Sequence, residues 1–413
     1  MKITRSLMNT YNRQEIINLI RKNPGIYCAQ IARLTGLSIP AVMNITDQFV
    51  AQKIVRKVGK IEIRKGKHPE AFEFVSDAFY LIGVDVGTTN ITAALLNLDA
   101  QIIYKYCIRT SQIRTPDEIF SQINEVIDNV YQYSLFYHYQ LMGIGIGLAG
   151  IIDAKNKRVV FSPAFGWHNI SIVDYLNPPK DIPYVVENVT KAMALAEQWF
   201  GKAREVDNMF CVNLGYGIGS ALLIDGRIYV GDNSASGELG HMVIDENGPQ
   251  CDCGNFGCLE ALASANAIAK AAQAQLSFHP ESSLCAVMAQ KKTLEAKDVF
   301  DAAKQEDAFS LSLVDLAAHY IGMALANTVN LMDINLIILE GGMAQAGPFF
   351  RDKIKQHLRS HVIHFTEGKV HITISDLGSN AVCIGSATIL LKEFIENGAN
   401  TEIPLNLYEK MND

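Results

Sequence analysis

The 413-residue sequence lacks the features that predict a secreted or membrane-spanning protein. It has no run of about 18 uncharged apolar residues, which is the length of a membrane-spanning helix. Its N-terminus, MKITRSLMNTYNRQ, lacks the apolar core of a signal peptide. Of the 8 Cys, three stand close together and five are scattered, a pattern of reduced thiols rather than of a disulfide framework. These absences predict a cytoplasmic protein without a membrane partner.

Charge is scarce and unevenly distributed. Charged residues make up 19% of the chain and apolar residues 49%, which is typical of an ordered globular protein, and the length predicts two or three domains. Residues 1–75 carry 13 Lys and Arg against 5 Asp and Glu, a net charge of +8 that leaves −15 for the remainder of the total of −7. A basic head on an acidic body indicates that the head binds a polyanion. A solvated basic face with no partner is the alternative.

The first 51 residues show the periodicity of three helices. Apolar residues recur at helical spacing over residues 11–22, and a Pro-Gly pair follows that helix. A second short helix at 28–34 is joined by a Gly turn at 35–37 to a third helix at 38–51. Two short helices joined in this way are typical of a helix-turn-helix, whose second helix enters the major groove of DNA.

Two predicted strands complete this N-terminal unit. They cover residues 54–58 and 71–75 and flank a basic segment that contains Gly66-Lys67-His68-Pro69. Such a hairpin after a helix-turn-helix is the wing of a winged helix. Residues 1–75 are therefore predicted to form a winged helix-turn-helix domain that binds operator DNA. The alternative is a winged helix that contacts only other proteins.

The predicted recognition helix has no Lys or Arg before Lys53, so polar side chains must read the bases. Asn44 or Gln48 has the donor and acceptor needed to pair with adenine. Basic residues around the helix and in the wing are expected to contact phosphates. The predicted DNA-binding residues are Arg33, Ser38, Asn44, Gln48, Lys53, Lys57, Lys65 and Lys67.

One His and three Cys have the spacing of a metal site. His241 precedes Cys251, Cys253 and Cys258, and two Gly residues let the loop fold tightly enough for the thiolates to converge. Imidazole and thiolate ligands favour zinc. Four protein ligands leave no open position for a reactive water, so the zinc is predicted to be structural. A reduced, metal-free Cys cluster is the alternative.

The same segment carries a family resemblance. Glu-x-Gly-His at 238–241, followed by CxCGxxGCxE at 251–260, resembles the signature of the ROK family (repressors, open reading frames and kinases). The resemblance implies that Glu238, His241 and Glu260 hold sugar hydroxyls and that His241 also ligates zinc. Carboxylates and an imidazole suit this role because hydroxyls need paired acceptors and donors.

Further segments match the family in order. The loops at 85–90 and 212–220 resemble its two phosphate loops, and residues 336–343 resemble its adenosine-covering turn. Those at 144–150 and 165–169 resemble its sugar-pocket loops, which implies that Asn169 faces the sugar; Trp167 is equally well explained as a core residue. Asn188 is a further implied sugar ligand. The implied vestigial nucleotide-binding residues are Asp85, acting through Mg²⁺, with Gly87, Thr88, Gly215, Gly217, Gly341 and Gly342.

The resemblance also implies the fold. It is an α/β protein in which a winged helix-turn-helix precedes a two-lobed body of the actin-like ATPase and sugar-kinase class. We expect a first lobe at 79–188 joined by a C-terminal helix near 383–397. The second lobe, at 189–382, is expected to hold the zinc site.

The catalytic pattern of the kinases fails in this chain. Residues 187–197 read ENVTKAMALAE, and the family's general-base Asp falls on Val189. A Val cannot accept a proton, and general-base assistance is worth about 10²–10⁴ in rate. The first phosphate loop has Asn90 in place of the family's Lys, and Tyr216 replaces a small Thr in the second loop. We therefore predict a protein that is not an enzyme; the alternative is an ATP-dependent sugar kinase that retains a DNA-binding head.

These features together predict a sugar-responsive transcriptional repressor. Its effector would be a sugar, or a sugar phosphate admitted because Lys191 replaces negative charge near the pocket. Sugar closure of the lobes would rearrange the heads and lower operator affinity. We expect a homodimer or homotetramer, since two heads on a palindromic site strengthen a weak single contact.

Overall fold

The structure, a computed structural model, describes residues 5–60, 69–364, 366 and 368–400. The N-terminal head contains three helices and a small antiparallel sheet of order β1-β3-β2. Its first helix begins at Arg5, earlier than the predicted start at residue 11. The predicted helix-turn-helix and both wing strands are present. The elements of the head are α1 (Arg5–Lys22), β1 (Ile26–Tyr27), α2 (Cys28–Thr35), α3 (Ile39–Ala51), β2 (Val55–Lys60) and β3 (Glu70–Phe74).

The local sequence explains the recognition helix, α3. Ser38 caps its N-terminus, with Oγ accepting a hydrogen bond from the backbone N–H of Ala41 at 3.3 Å. Val42, Ile45 and Phe49 follow at helical spacing and are buried, so they fix the inner face of the helix. The opposite face is polar and exposed.

The body begins with a five-stranded sheet, followed by a small three-stranded sheet of order β10-β9-β8. One helix, α4, covers one face of the larger sheet. The elements of this part are β4 (Tyr80–Val86), β5 (Asn90–Asn97), β6 (Ile102–Arg109), α4 (Pro116–Phe136), β7 (Leu141–Leu148), β8 (Ile151–Asp153), β9 (Arg158–Ser162), β10 (Trp167–Ser171) and β11 (Tyr184–Asn188).

A second five-stranded sheet and most of the helices follow. The elements are α5 (Val189–Phe200), β12 (Met209–Leu214), β13 (Ile218–Ile224), β14 (Arg227–Ile228), α6 (Leu259–Ala263), α7 (Ala265–Gln275), α8 (Leu284–Lys291), α9 (Ala296–Lys304), α10 (Ala308–Met332), β15 (Leu336–Glu340), α11 (Pro348–Arg359), β16 (His371–Ile374) and α12 (Ala381–Glu396).

The two large sheets share one topology. Their strand orders are β11-β7-β4-β5-β6 and β14-β13-β12-β15-β16. In each sheet the first strand begins an antiparallel meander on one side and pairs with a parallel strand on the other. Strand β4 is almost wholly buried and reads as a continuous apolar run, as expected for a strand covered on both faces. This duplicated arrangement confirms the predicted two-lobed α/β fold class.

The last helix, α12, returns to the first sheet. It packs against β4 and β7 on one side and against α5 on the other. The approach to α5 is very close: a Cβ on Gly385 would lie 1.8 Å from the carbonyl oxygen of Ala192. Only glycine fits there, so the helices α5 and α12 are held in one register.

One helix in the described part of the chain is long and apolar enough, by length and composition, to cross a membrane. It is α10, and 56% of its most apolar window is buried inside the protein. The core helix of a soluble protein meets the same criteria. The buried side of α10, including Leu313, Ile321 and Leu325, belongs to the core beside the second large sheet.

Candidate functional site

A cleft of ≈ 860 Å³ is lined by residues from both large sheets and their connections. It receives the β4–β5 turn, the end of β7, the start of α5, the β12–β13 turn and the end of β15. The predicted residues that line it are Asp85, Gly87, Thr88, Asn188, Gly215, Gly217, Glu238, His241, Glu260, Gly341 and Gly342. Residues assigned to sugar and to nucleotide from separate motifs thus face one common space.

His241 and the three Cys form a compact group beside this cleft. One ligand atom from each residue can be chosen so that all four lie within 4.8 Å of one another. His241 Nδ1 lies 3.7 Å from Cys251 Sγ, and Cys253 Sγ lies 3.7 Å from Cys258 Sγ. With zinc–sulfur bonds of about 2.3 Å, a tetrahedral ion requires sulfur atoms about 3.8 Å apart. The donor set therefore fits a tetrahedral ion such as zinc.

Two thiols of this group have raised pKa values, so they must lose protons when they bind a metal ion. Burial raises the pKa of Cys251 to about 12 and also raises the pKa of Cys258. Without a cation these thiols stay protonated near neutral pH. A bound metal would stabilise the thiolates and release the protons, which couples metal binding to pH.

His241 connects the metal group to the cleft. Its Nδ1 faces Cys251, while its Nε2 lies 3.8 Å from Glu238 Oε2. Metal ligation through Nδ1 would fix the tautomer and leave Nε2–H as a donor. Burial raises the pKa of Glu238, with a further contribution from the nearby Glu260 and opposing ones from His241 and Lys191. Glu238 and His241 therefore present an acceptor and a donor side by side.

Glu260 is fixed by the second phosphate-type turn. Its Oε2 accepts a hydrogen bond from the backbone N–H of Ile218 at 2.8 Å. A Cβ on Gly217 would come within 2.3 Å of the same oxygen, so a larger residue at that position would have to displace the Glu260 carboxylate. The β12–β13 turn and Glu260 thus form one structural unit, and a change in the turn would displace the carboxylate.

Asn188 and Val189 lie at the start of α5. Asn188 caps the helix: its Oδ1 accepts from the N–H groups of Thr190 and Lys191, and its Nδ2 donates to Gly150 O at 2.8 Å. Val189, at the position of the missing general base, also lines the cleft. Glu187, two positions before Val189, is not among the residues that line the cleft.

Lys191, which is predicted from the sequence to lie near the pocket, is buried in the structure. Its side chain is only 4% exposed, and Nζ donates to Ser234 O at 2.8 Å. It is not among the cleft-lining residues. Lys191 is close enough to Glu238 to oppose the rise of its pKa, so a sugar phosphate as effector stays a prediction.

The structure does not bring Asn169 to the cleft. Its Oδ1 accepts from Arg158 Nε at 2.9 Å at the edge of the small sheet, and it is not among the lining residues. Trp167 is 3% exposed and stacks between Phe120 and Phe165, so it is a core residue. The predicted contact of Asn169 with a sugar therefore stays a prediction, while Trp167 is explained by core packing.

The residues predicted to be vestigial nucleotide ligands line one part of the cleft together with Asn90 and Tyr216. Burial raises the pKa of Asp85 to about 7, so this carboxyl is only partly ionised at neutral pH. Asn90 stands where the kinase family has a Lys, and the Tyr216 ring is 54% exposed at the cleft. Lys270 of α7 also lines the cleft and was missed by sequence reasoning. Its only sequence signal is the i, i+4 spacing from Asn266 on a short helix.

A second missed residue is Glu340, which ends β15 at the cleft. It is 2% exposed, and its Oε1 has no hydrogen-bond partner. Burial, together with the nearby Glu197, raises its pKa to about 9. Glu340 is therefore protonated at neutral pH. Residues 336–343 were singled out as a turn, but the burial of Glu340 was not predicted, because a Glu at the end of an apolar strand reads as exposed.

Six of the eight predicted DNA-binding residues are described by the structure. Lys65 and Lys67 lie outside the described residues. Lys57 Nζ pairs with Glu70 at 3.0 Å and with Asp47 at 3.6 Å. Those that the structure describes are all exposed: Arg33, Ser38, Asn44, Gln48, Lys53 and Lys57.

Comparison with known proteins agrees with this arrangement. The model of the ROK family matches residues 81–393, and that of a winged helix-turn-helix DNA-binding domain matches residues 10–56. The chain is 29% identical over 388 residues to the xylose repressor of Bacillus spizizenii, covering 93% of this chain and 96% of that protein. It is 34% identical over 331 residues to a glucokinase of Halalkalibacterium halodurans, covering 79% of this chain and 100% of that protein.

A solved structure resembles nearly the whole chain. It is a ROK family transcriptional regulator, a homologue of the E. coli MLC protein, with a TM-score of 0.81 and 24% sequence identity. The match covers 95% of this chain and 97% of that one. At this identity the likeness is evidence of a shared fold, head included.

Proposed function

Because the chain belongs to the ROK family and carries a winged helix-turn-helix ahead of the ROK region, we propose that it is a sugar-responsive transcriptional repressor. One observation carries the proposal: an exposed recognition helix and a cleft that gathers Glu238, His241 and Glu260 occur in a single chain. The likeness to a xylose repressor over 93% of the chain supports it.

The sugar site we propose consists of Asn188, Glu238, His241 and Glu260. The two carboxylates accept from sugar hydroxyls, and His241 Nε2–H donates to one. Asn188 has one N–H left after its contact with Gly150, and it joins the sugar to the first turn of α5. A hydroxyl-rich ligand that satisfies these groups is favoured over an apolar one, since buried polar groups left unpaired cost about 1–3 kcal/mol each.

We assign zinc as the resident metal. His241, Cys251, Cys253 and Cys258 would hold it, and the ion supplies a fixed cation with no open coordination position. Ligation would hold Nδ1 of His241 on the metal side, so the imidazole ring keeps one orientation toward Glu238 and the cleft. The metal is therefore structural, and its loss would weaken sugar binding because His241 would no longer keep one orientation.

We further propose that the protein does not phosphorylate its sugar. Val189 occupies the base position in the cleft and cannot accept a proton. The partly protonated Asp85 and the Tyr216 ring further weaken the nucleotide side. The competing function is an ATP-dependent sugar kinase that retained its head, and the 34% identity to a glucokinase is the observation in its favour.

The organisation we propose follows the chain in order. Residues 1–75 bind operator DNA, 79–188 with 383–397 form the first lobe, and 189–382 form the second lobe with the zinc site. The active form is a homodimer or homotetramer in the cytoplasm. Sugar binding shifts the population toward a closed body whose heads fit the operator poorly.

The test is fluorescence anisotropy of the purified protein on the DNA upstream of its own gene, at about 0.15 M salt to suppress non-specific phosphate binding. D-xylose, D-glucose and D-glucose 6-phosphate are added in turn. Release by a free sugar is expected, with an affinity change of about 5–150-fold. Specific binding that no sugar weakens would contradict the effector role, and absence of specific binding would contradict the repressor.

A matched variant makes this test specific for the cleft. Glu260→Gln keeps the size of the side chain and removes its charge. It should bind the operator as tightly as the wild type but require far more sugar for release. If the wild type and Glu260→Gln were released by the same sugar concentration, Glu260 would not be a sugar ligand.

A further inference from the structure

The guanidinium of Arg13 lies buried between the head and the body. Arg13 belongs to α1 and is 6% exposed, with its guanidinium carbon 4.6 Å from the centre of the Phe49 ring. Its NH1 donates to Gln48 Oε1 at 2.5 Å and its NH2 donates to Gln52 Oε1 at 3.3 Å. Gln48 lies near the C-terminal end of the recognition helix and Gln52 directly follows it. Arg13 therefore stabilises the position of this end of the helix through two hydrogen bonds.

The same guanidinium also binds the body. Its Nε donates to Gly398 O at 2.9 Å and its NH2 donates to Ala399 O at 3.3 Å. These carbonyls follow the end of α12 directly, and the backbone there is buried. One side chain therefore connects α1, the recognition helix and the segment after α12.

Helix α12 is in turn rigidly connected to the cleft. It packs against α5 with the close contact at Gly385, and α5 begins at the cleft with Asn188 and Val189. The far end of α5 also touches the head, where the Arg21 guanidinium lies 4.3 Å from the centre of the Trp199 ring. Both helices thus run from the cleft region to the head.

The apolar core follows the same route. Buried residues of α1, of the recognition helix and of α12 belong to one continuous cluster, which includes Ile17, Phe49, Leu390 and Phe394. A shift of α12 relative to the first sheet would therefore be transmitted to the head as a rigid displacement, since packed cores do not deform smoothly.

We propose that Arg13 is the positioning residue through which the body sets the geometry of the recognition helix, so that its hydrogen bonds to Gln48, Gln52, Gly398 and Ala399 carry the sugar signal to the operator. The inference rests on the proposed function. Gln48 is itself a predicted base-reading residue, and its Nε2 donates to Asn44 Oδ1 at 2.6 Å. If the carbonyl groups of Gly398 and Ala399 move, the guanidinium of Arg13 changes its orientation. The side-chain amides of Gln48 and Gln52, which bind the same guanidinium, then move with it.

The chemistry of this position requires arginine. Four acceptors on two separate segments need a planar, forked set of donors, which a guanidinium has and an ammonium lacks. Lysine keeps the charge and most of the length but reaches fewer acceptors at once. Arg13→Lys is therefore expected to separate sugar binding from operator release without removing the positive charge.

The experiment compares the wild type with Arg13→Lys and with Arg56→Lys as a matched control. Arg56 lies on β2 and its NH2 pairs with Glu73 Oε2 at 3.0 Å, so its described ion pair lies wholly within the head. Operator Kd is measured by anisotropy with and without D-xylose or D-glucose, and sugar affinity is measured separately by calorimetry. We expect unchanged sugar affinity in all three proteins, with the ratio of operator Kd values falling close to 1 only in Arg13→Lys.

The outcomes separate the two proposals. If the ratio of operator Kd values with and without sugar is the same in Arg13→Lys as in the wild type, the inference is overturned and the proposed function stays intact. A wild type that neither sugar releases overturns the proposed function together with the inference. A purely structural role would lower thermal stability while leaving the ratio unchanged, which also counts against the inference.

A second variant covers the case in which Arg13→Lys does not fold. Gln52→Leu removes one contact on the head side and leaves both carbonyl contacts to the body. It should reduce the sugar response in the same direction and by a smaller factor. A full response in Gln52→Leu, together with unfolded Arg13→Lys, would assign Arg13 to stability alone and overturn the inference.

Discussion

His241 turns Nδ1 toward Cys251 Sγ, 3.7 Å away, and keeps Nε2 on the side of the cleft. One imidazole is thereby shared between a metal-binding group and a sugar-binding group. The two functions are physically coupled because a ring held at Nδ1 has only one orientation for Nε2.

Cys253→Ser is expected to abolish stoichiometric zinc and to weaken sugar binding by at least about 10-fold, since the orientation of His241 is lost. Operator binding in the absence of sugar should remain, because the head is remote from the metal group. Zinc content is measured by atomic absorption and sugar affinity by calorimetry. Cys285→Ser is the control, since Cys285 lies outside the four-residue group. Full sugar affinity in zinc-free protein would refute the coupling.

Val189→Asp is expected to introduce sugar phosphorylation that the wild type lacks. A positioned general base contributes about 10²–10⁴ in rate, so the gain over the wild-type background should reach this range. Sugar phosphate formed from ATP is quantified by a coupled assay. Val189→Asn, which has similar size but no basic group, should stay at background. Turnover by the wild type would show that Val189 is not at the base position or that another base replaces it.

The sequence predicted much of this site because the informative residues are close together in the chain. The metal group spans 18 residues, from 241 to 258, and its spacing alone implies convergence. Val189 was identified because the flanking ENVTKAMALAE aligns without a gap. Likewise, the helix-turn-helix followed from local periodicity and Ser38, features that depend only on near neighbours.

Features that depend on distant contacts could not be predicted. Arg13 meets Gly398 across 385 positions, and no local pattern marks either residue. Glu340 acquires its raised pKa from burial and from Glu197, which belongs to a different element. The hydrogen bond from Arg158 to Asn169 and the burial of Trp167 likewise depend on the folded lobe and have no signal in the 165–169 loop sequence.

Glu340→Gln is expected to change how stability depends on pH. The pKa of Glu340 is about 9 in the folded protein against an ordinary value of 4.5. Between these values the folded protein holds a proton that the unfolded chain has released, so the free energy of unfolding falls as pH rises. This contribution is fully present below about pH 4.5 and is lost by about pH 9, with a slope of at most about 1.4 kcal/mol per pH unit.

Gln cannot ionise, so Glu340→Gln should show a shallower loss of stability between pH 6 and pH 9 on the order of that slope. Urea unfolding at these pH values measures the difference. Glu205→Gln is a suitable control because Glu205 is exposed. Parallel pH profiles for the wild type and Glu340→Gln would show that Glu340 is ionised in the folded state.

Asn44 and Lys57 should affect operator binding in different ways. Gln48 Nε2 donates to Asn44 Oδ1, which leaves the NH₂ group of Asn44 free to donate to a base. Asn44→Ala should therefore reduce the magnitude of the free energy of operator binding by about 1–3 kcal/mol and relax the preference for one base pair.

Lys57→Ala should weaken binding to all DNA sequences alike. It should also lower the slope of log K against log salt concentration by about 1, as expected for a lost phosphate contact. Anisotropy with the operator and with single-base variants, over a series of salt concentrations, distinguishes the two effects. If Asn44→Ala weakened every sequence equally, α3 would contact the backbone rather than the bases at this position.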